Sequence, residues 1–398
     1  MRSFGDGFSD LSPYFWMRNS LNSDPQPLLT PQFALLLVTT SIIGLSFSTY
    51  FLLPKFLAVE LGADAATIGG LSAVSLLASV ICMPIAGVQI DRLGRRLFVC
   101  LGALLFAAAS AGFLVIDRVG PLLWALRLIQ GLAFPLFYLA LSTLATDIAP
   151  KARMGQAIGV FGAIMISTNA LGPALAEWGA RLFGWKAVFG ATVVAALLAA
   201  LLTRFLREQR RPQAREESTT MLELVRRPGL KRVLIVTVMV GWTFGSMFTF
   251  YQPWALACGF KQVSTYLVAF AGCAMVVRVG LGGIADRLGR MRVAQATLLL
   301  YVAAPLSLIW LPTLGLLLTG GLLGITHGMF FPAFNAVAVD LALESERGKA
   351  MAAYNGAFNV GFAAGSYFLG YIAIATSFPT VFLISAATCA VAFVLLVS

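Results

Sequence analysis

Charge is the scarcest commodity in this sequence. Lys, Arg, Asp and Glu together make up 11% of its 398 residues and 59% are hydrophobic, whereas about a quarter of a soluble domain is charged. That balance excludes a soluble enzyme and places the chain in lipid. Acidic residues are especially few, 17 against 28 Lys and Arg, and histidine occurs once, at His327. The five cysteines (Cys82, Cys100, Cys258, Cys273 and Cys389) stand singly in apolar runs with no paired spacing. They read as packing residues and supply neither a disulfide framework nor a metal site. No metal, haem or phosphate-cradling signature is present, so no cofactor, ATP-driven step or enzymatic activity is expected.

What the sequence has in abundance is long apolar runs. A bilayer core about 30 Å thick needs roughly 20 apolar residues per helix. The runs predict helices over 33–57, 68–90, 97–116, 121–145, 155–178, 187–206, 233–258, 263–285, 293–312, 314–341, 350–375 and 379–397. The first follows a polar leader and is too long and too late for a signal peptide. Arg127 and Arg278 fall inside helices, and only Lys55, Arg118, Arg181, Lys186 and Lys261 fall on one side of the resulting topology. The remaining basic residues share the other side, which is therefore expected to be cytoplasmic, with both termini. The net charge of +11 then reflects topology and contact with anionic lipid headgroups, not nucleic-acid binding. The organisation expected is a cytoplasmic tail over 1–32, a six-helix bundle over 33–206, a basic linker over 207–232 and a second bundle over 233–398.

The two bundles repeat each other. Gly87-x-x-x-Asp91-Arg92-x-Gly94-Arg95-Arg96 follows the second helix, and Gly282-x-x-x-Asp286-Arg287-x-Gly289-Arg290-x-Arg292 follows the eighth, 195 residues later. Gln130-Gly131-x-x-Phe134-Pro135-x-Phe137 in helix four returns in helix ten as His327-Gly328-x-x-Phe331-Pro332-x-Phe334, 197 residues on. Such a period predicts an all-α membrane protein of twelve transmembrane helices in two pseudo-symmetric six-helix bundles, with a substrate site between the halves.

The loop run after helices two and eight resembles the signature loop of the major facilitator superfamily, and the resemblance extends over all twelve helices. It implies that family's fold and a latch, formed by Gly87, Asp91, Arg92, Gly94, Arg95, Gly282, Asp286, Arg287, Gly289 and Arg290, that holds the outward-facing state and breaks as the halves rock. Arg127-x-x-Gln130-Gly131 resembles the helix-four motif of the family's proton-coupled exporters, which implies a part in proton transfer for Arg127 and Gln130. Helix five carries Gly159 and Asn169-x-x-Gly172-Pro173, a partial likeness to the family's antiporter motif. Thr168 stands where that motif has glycine, and Ala176-Glu177 replaces its final glycines.

Bottom-up chemistry gives each of these residues two readings. An arginine inside a helix is costly unless it is paired or faces an aqueous cavity, so Arg127 is either functional or braces neighbouring helices through their carbonyls. Gly172 and Pro173 either mark an antiporter or bend a helix. His327 either carries a proton or is a satisfied polar contact. Arg278 lies on one face with Gly282 and Asp286 and pairs either with a latch carboxylate or with an anionic substrate group. Proton coupling needs a group that exchanges proton for substrate, yet helices one, four, seven and ten offer no carboxylate near the midplane. The candidates are Arg127, Gln130, His327 and Glu177.

Aromatic residues on helices one, four, seven and ten, with amides on five, ten and eleven, suit an amphipathic organic solute. The expected lining is Tyr50, Phe134, Tyr138, Asn169, Trp242, Phe248, Phe331, Asn335, Tyr354, Asn355 and Asn359. The function expected is proton-coupled antiport exporting such a compound by rocker-switch alternating access, from a monomer in a bacterial inner membrane whose partners are substrate, protons and lipid. The alternatives are an uptake symporter or uniporter for a small organic acid or sugar, and a non-transporting membrane sensor.

Overall fold

A computed structural model describes residues 28–150, 153–208, 220–281 and 287–398. Its elements follow from the apolar runs, because in lipid every backbone N–H and C=O has to be satisfied within its own segment and a helix does so. Helix one spans Pro31–Glu60, helix two Ala65–Leu93, helix three Arg95–Val115 and helix four Pro121–Ile148. Helices five and six lie within Met154–Leu202 and meet at non-helical backbone at Gly184. Helices seven to twelve are Pro228–Ala257, Ser264–Leu281, Arg290–Ile309, Leu311–Asp340, Arg347–Ala375 and Phe378–Val397. The protein is thus an all-α membrane protein with twelve spanning helices in two six-helix bundles.

The helix starts carry local signals. Thr30 caps helix one by accepting from Phe33 N–H with Pro31 in the first turn, Asp64 caps helix two through Thr67 N–H, and Ser377 caps helix twelve through Thr380 N–H. In the 207–232 segment, Thr220 and Glu223 form a reciprocal capping box on a short helix, Met221–Arg226. Helix seven begins at Pro228, five residues earlier than the apolar run suggests, since the lysine and arginine at 231 and 232 sit on its exposed first turn. The gap expected over 179–186 is a single break at Gly184, whose φ of +81° only glycine tolerates readily. Arg181 and Lys186 flank that break and interrupt the apolar run on either side of it.

Two core clusters form, the second of which also takes in Leu52, Ala65, Ala176 and Val188 of the first bundle. Phe33, Leu36, Ile43, Phe106, Phe137 and Phe189 belong to the first, and Tyr251, Tyr266, Tyr301, Phe330, Phe334 and Phe382 to the second. Lipid tails are as apolar as these side chains, so helices associate through close packing of small residues. The most extensive seam joins helices seven and eleven. There Gly241 and Gly245 face Phe358 and Phe362, while Gly361 and Gly365 face the backbone of Val238 and Trp242. The matching seam of the first bundle joins helices one and five, where Gly44 meets Thr168, Gly172 meets Ser48, and the Ser48 hydroxyl donates to Thr168 O at 2.7 Å.

One end of the bundles is basic. There Arg95, 3% exposed, lies 3.3 Å from Asp147, 3.5 Å from Asp91 and 3.9 Å from Glu208. Arg290 donates to both carboxylate oxygens of Asp340 at 2.7 and 2.8 Å. Arg227 clasps Glu346 with two bonds of 2.7 and 2.8 Å, and this buried carboxylate holds the guanidinium's pKa above its ordinary value. The opposite end, the far end below, carries the helix one to two and seven to eight turns, with Gly62 at φ +60° and Gly259 at φ +88°.

Candidate functional site

A cavity of about 390 Å³ lies between the bundles, within the size range of small-molecule sites. It is lined from both sides. The first bundle contributes Phe47, Tyr50, Phe51 and Pro54 of helix one, Ser72, Ser75, Leu76, Ser79 and Met83 of helix two, Arg127 and Phe134 of helix four, and Ile166 and Asn169 of helix five. The second contributes Phe244, Phe248 and Thr249 of helix seven, Leu267, Phe270, Ala271, Ala274 and Arg278 of helix eight, His327 of helix ten, and Phe358, Asn359 and Phe362 of helix eleven. No aspartate or glutamate is among them.

At the far end the bundles are locked together. Glu177 of helix five accepts from Lys55 Nζ at 2.5 Å and from the backbone N–H groups of Val263 and Ser264 at 2.9 and 2.8 Å, at the start of helix eight. A carboxylate suits the orphan N–H groups of a helix N-terminus. Lys55 Nζ also donates to Lys261 O at 2.6 Å. Beneath this pair, Gln252 of helix seven enters helix one. Helix one passes through a single 3-10 turn at Tyr50–Leu52, and Lys55 N–H donates to Gln252 Oε1 at 3.0 Å while Gln252 Nε2 donates to Phe51 O at 2.6 Å. The fully buried amide thus stands in for the missing helix bond between residues 51 and 55. Helices two and eleven close the same end, where a Cβ added at Gly69 would fall on Ser366 O, and one at Gly370 on Ala65 O.

Toward the basic end these crossing helices leave space. A Cβ added at Gly87, Gly159, Gly280 or Gly356, on helices two, five, eight and eleven, would meet no atom within 4 Å. The far end of the cavity, by contrast, is closed by the contacts between the bundles.

Within the cavity, Arg127 Nε donates to Leu71 O at 3.3 Å and Nη1 to Gln130 Oε1 at 2.8 Å. Both partners are neutral and leave guanidinium donors over. Gln130 is 1% exposed and its Nε2 lacks a partner. Tyr50 places its hydroxyl 3.4 Å from Thr192 Oγ1. Phe134 stacks between Phe47 and Tyr138 at 4.5 and 5.1 Å. His327 sits in an aromatic cage, its ring centroid 4.4 Å from Phe244, 5.2 Å from Phe331 and 5.5 Å from Phe358. Its polar neighbour is the Tyr301 hydroxyl, 3.3 Å from Nδ1.

Of the residues expected to line the site, Tyr50, Phe134, Asn169, Phe248 and Asn359 do so, together with Arg127, Arg278 and His327. The others sit elsewhere. Trp242 belongs to the helix seven to eleven seam and stacks on Phe368 at 6.1 Å. Tyr354 is fully buried and donates to Phe331 O at 3.1 Å, and Asn355 donates to Met351 O at 2.8 Å within its own helix. Asn335 and Tyr138 lie outside the lining, and Glu177 belongs to the far-end lock. Gly172 packs in the helix one to five seam beside buried Pro173, while Gly159 faces open space. Gly94 and Gly289 make the turns before helices three and nine at φ +110° and +93°, and Asp91, Arg92 and Arg287 are exposed. Gly282 and Asp286 lie outside the described residues.

Sequence reasoning missed the serine edge of helix two and the phenylalanines of helices eight and eleven. A signal existed for the first: Ser72, Ser75 and Ser79, spaced three and four apart, form one polar stripe on an otherwise apolar helix.

Comparison with known proteins agrees with this architecture. A family model described as Major Facilitator Superfamily matches residues 35–321 and 313–398. The chain is 27% identical to Multidrug resistance protein MdtG of Enterobacter lignolyticus, over 79% of this chain and 77% of that protein. It is 30% identical to Quinolone resistance protein NorA of Staphylococcus aureus over 31% of each chain. Among solved structures, the nucleoside transporter NupG superposes with a TM-score of 0.76 at 16% identity, covering 92% of this chain and 98% of that one. The human organic anion transporter MFSD10 (TETRAN) gives 0.68 at 18% identity, covering 92% and 100%.

Proposed function

The chain belongs to the major facilitator superfamily of transporters, and we propose that it is a proton-coupled exporter of amphipathic organic compounds that works by alternating access. The carrying observation is the cavity itself, walled by aromatic side chains from both bundles and locked at the far end by contacts between them. The similarity to MdtG and NorA, whose names mark them as resistance proteins, supports the export direction. By the bias of Lys and Arg toward cytoplasmic loops, the basic end faces the cytoplasm, so this conformation receives solute from inside. The bacterial relatives point to an inner membrane, and a twelve-helix unit with its cavity between its own halves needs no second copy.

In this cycle the far-end lock opens as the basic end closes, and Asp91, Arg92 and Arg95 help to hold the closed basic end. Arg127 links the cavity to coupling, because its guanidinium contacts Gln130 and faces the solute. The test is collapse of a pH gradient in inverted membrane vesicles on addition of a panel of amphipathic compounds. The native protein should release the gradient with a subset of them, and Arg127→Ala, present in the membrane at near-native amount, should release none. Coupled transport by that variant at the native rate removes Arg127 from coupling, and gradient-independent movement by the native protein replaces antiport with uniport.

A further inference from the structure

We infer that the central cavity selects an amphipathic organic anion, drawing its carboxylate, sulfonate or phosphate to the guanidiniums of Arg127 and Arg278 and its hydrocarbon body to the phenylalanines. The inference rests on the reading of this cavity as the transport site, and it needs neither proton coupling nor a direction.

The two cations come from opposite bundles, Arg127 on helix four and Arg278 on helix eight, and both line the cavity. No carboxylate lines it with them. Among the described residues, Arg127 bonds Leu71 O and Gln130 Oε1, and Arg278 makes no ion pair, its electrostatic neighbours being Tyr138 and His327. A guanidinium at membrane depth with no carboxylate among its described partners is costly. Two of them facing one cavity repel a cationic solute and attract an anion, and their planar forks match an oxyanion with paired hydrogen bonds. The same cavity has an apolar lining that includes Phe244, Phe248, Phe270 and Phe362. This arrangement recognises a charged head joined to an aromatic or aliphatic body. An inside-negative membrane potential drives an anion outward by itself, so a cavity whose described lining holds no carboxylate remains compatible with export.

The test is equilibrium binding to the purified full-length protein in nanodiscs of neutral phosphatidylcholine, without any gradient, using dyes of matched shape and opposite charge. The pairs are fluorescein against tetramethylrhodamine methyl ester, and pyrenesulfonate against pyrenylmethylammonium. Each anion is expected to bind at least about tenfold tighter than its cationic partner, the worth of one charged hydrogen bond. Arg278→Gln should erase most of that preference and Arg278→Glu should reverse it, a gain of cation binding that a misfolded variant cannot produce. Equal binding, a preference for the cations, failure of both anions to bind, or an unchanged preference in Arg278→Glu each overturns the inference. Anion-selective binding combined with transport that ignores the pH gradient would leave this inference standing and remove the proton antiport reading.

Discussion

The two bundles share one frame and differ at the positions where chemistry is done. The glycine turns recur one period apart, Gly62 with Gly259 and Gly94 with Gly289, each at positive φ. The ion pair at the start of helix three, Arg95 with Asp147, recurs as Arg290 with Asp340 at helix nine. Against this background, the counterpart of Arg127 at a period of 197 is Gly324, packed on Phe270 O, and the counterpart of Arg278 at a period of 195 is Met83. Each bundle therefore offers the cavity one cation, on non-equivalent helices. Repetition marks what holds the bundles together, and departure from it marks what the cavity recognises.

The seams give the largest expected contrast. In the second bundle a Cβ at Gly361 would fall on Val238 O and press on Trp242 N, both fixed backbone atoms, whereas in the first a Cβ at Gly44 meets the Thr168 side chain, nearest atom Oγ1 at 2.9 Å. The Thr168 side chain can yield by turning about χ1 and giving up its bond to Met165 O, and a carbonyl in a helix cannot. Gly361→Ala should cost about 3 kcal/mol and deplete the protein in the membrane, while Gly44→Ala should cost about 1 kcal/mol or less. Thermal unfolding in detergent and membrane abundance measure both, and equal losses would mean that the helices shift as rigid bodies to absorb the added methyl groups.

The repeated ion pair differs in burial. Asp147 and Arg95 are 10% and 4% exposed at their side chains and share Asp91 and Glu208, whereas Asp340 and Arg290 are 53% and 40% exposed. Removing one partner of a buried network leaves a charge in a poor solvent, while an exposed pair is screened by water. Asp147→Asn should therefore destabilise by about 2–3 kcal/mol and Asp340→Asn by less than about 1 kcal/mol, read from the same unfolding experiment.

Much of this frame was legible in sequence, because a glycine that makes a tight turn or a close helix contact leaves its spacing on the chain. Gly94 and Gly289, expected as latch residues, make the turns before helices three and nine, and the apolar runs announced the helices. The lining was less legible, since whether an aromatic faces a cavity or a neighbour depends on the rotation of its helix. Trp242 lies on the face of helix seven that Gly361 and Gly365 admit, so it went to the seam, while Phe244 and Phe248 went to the cavity. Glu177 looked available for a proton because its partners are remote in sequence. Lys55 lies 122 residues away, and Val263 and Ser264 are 86 and 87 residues away.

The far-end lock carries the contrast to the place where the bundles meet. Lys55 and Gln252 are themselves one period of 197 residues apart, so the repeat brings equivalent positions face to face. The first bundle supplies both charges of the lock, Lys55 and Glu177. The second answers with the backbone of residues 261, 263 and 264 and with the Gln252 amide. Because Gln252 bridges Phe51 O and Lys55 N–H only while the bundles touch, Gln252→Leu orphans both groups in the closed state and leaves the opened state able to hydrate them. Two neutral hydrogen bonds are worth about 1–2 kcal/mol net, so the closed population should fall by roughly fivefold to thirtyfold relative to the open one, with little change in unfolding temperature. Spin labels at Glu60 and Gln262, placed in a background without the five native cysteines, report the distance across this end. A lengthened distance distribution in Gln252→Leu, absent in the native protein, is the expected result, and an unchanged one would mean that Lys55 and Glu177 hold the end shut without the amide.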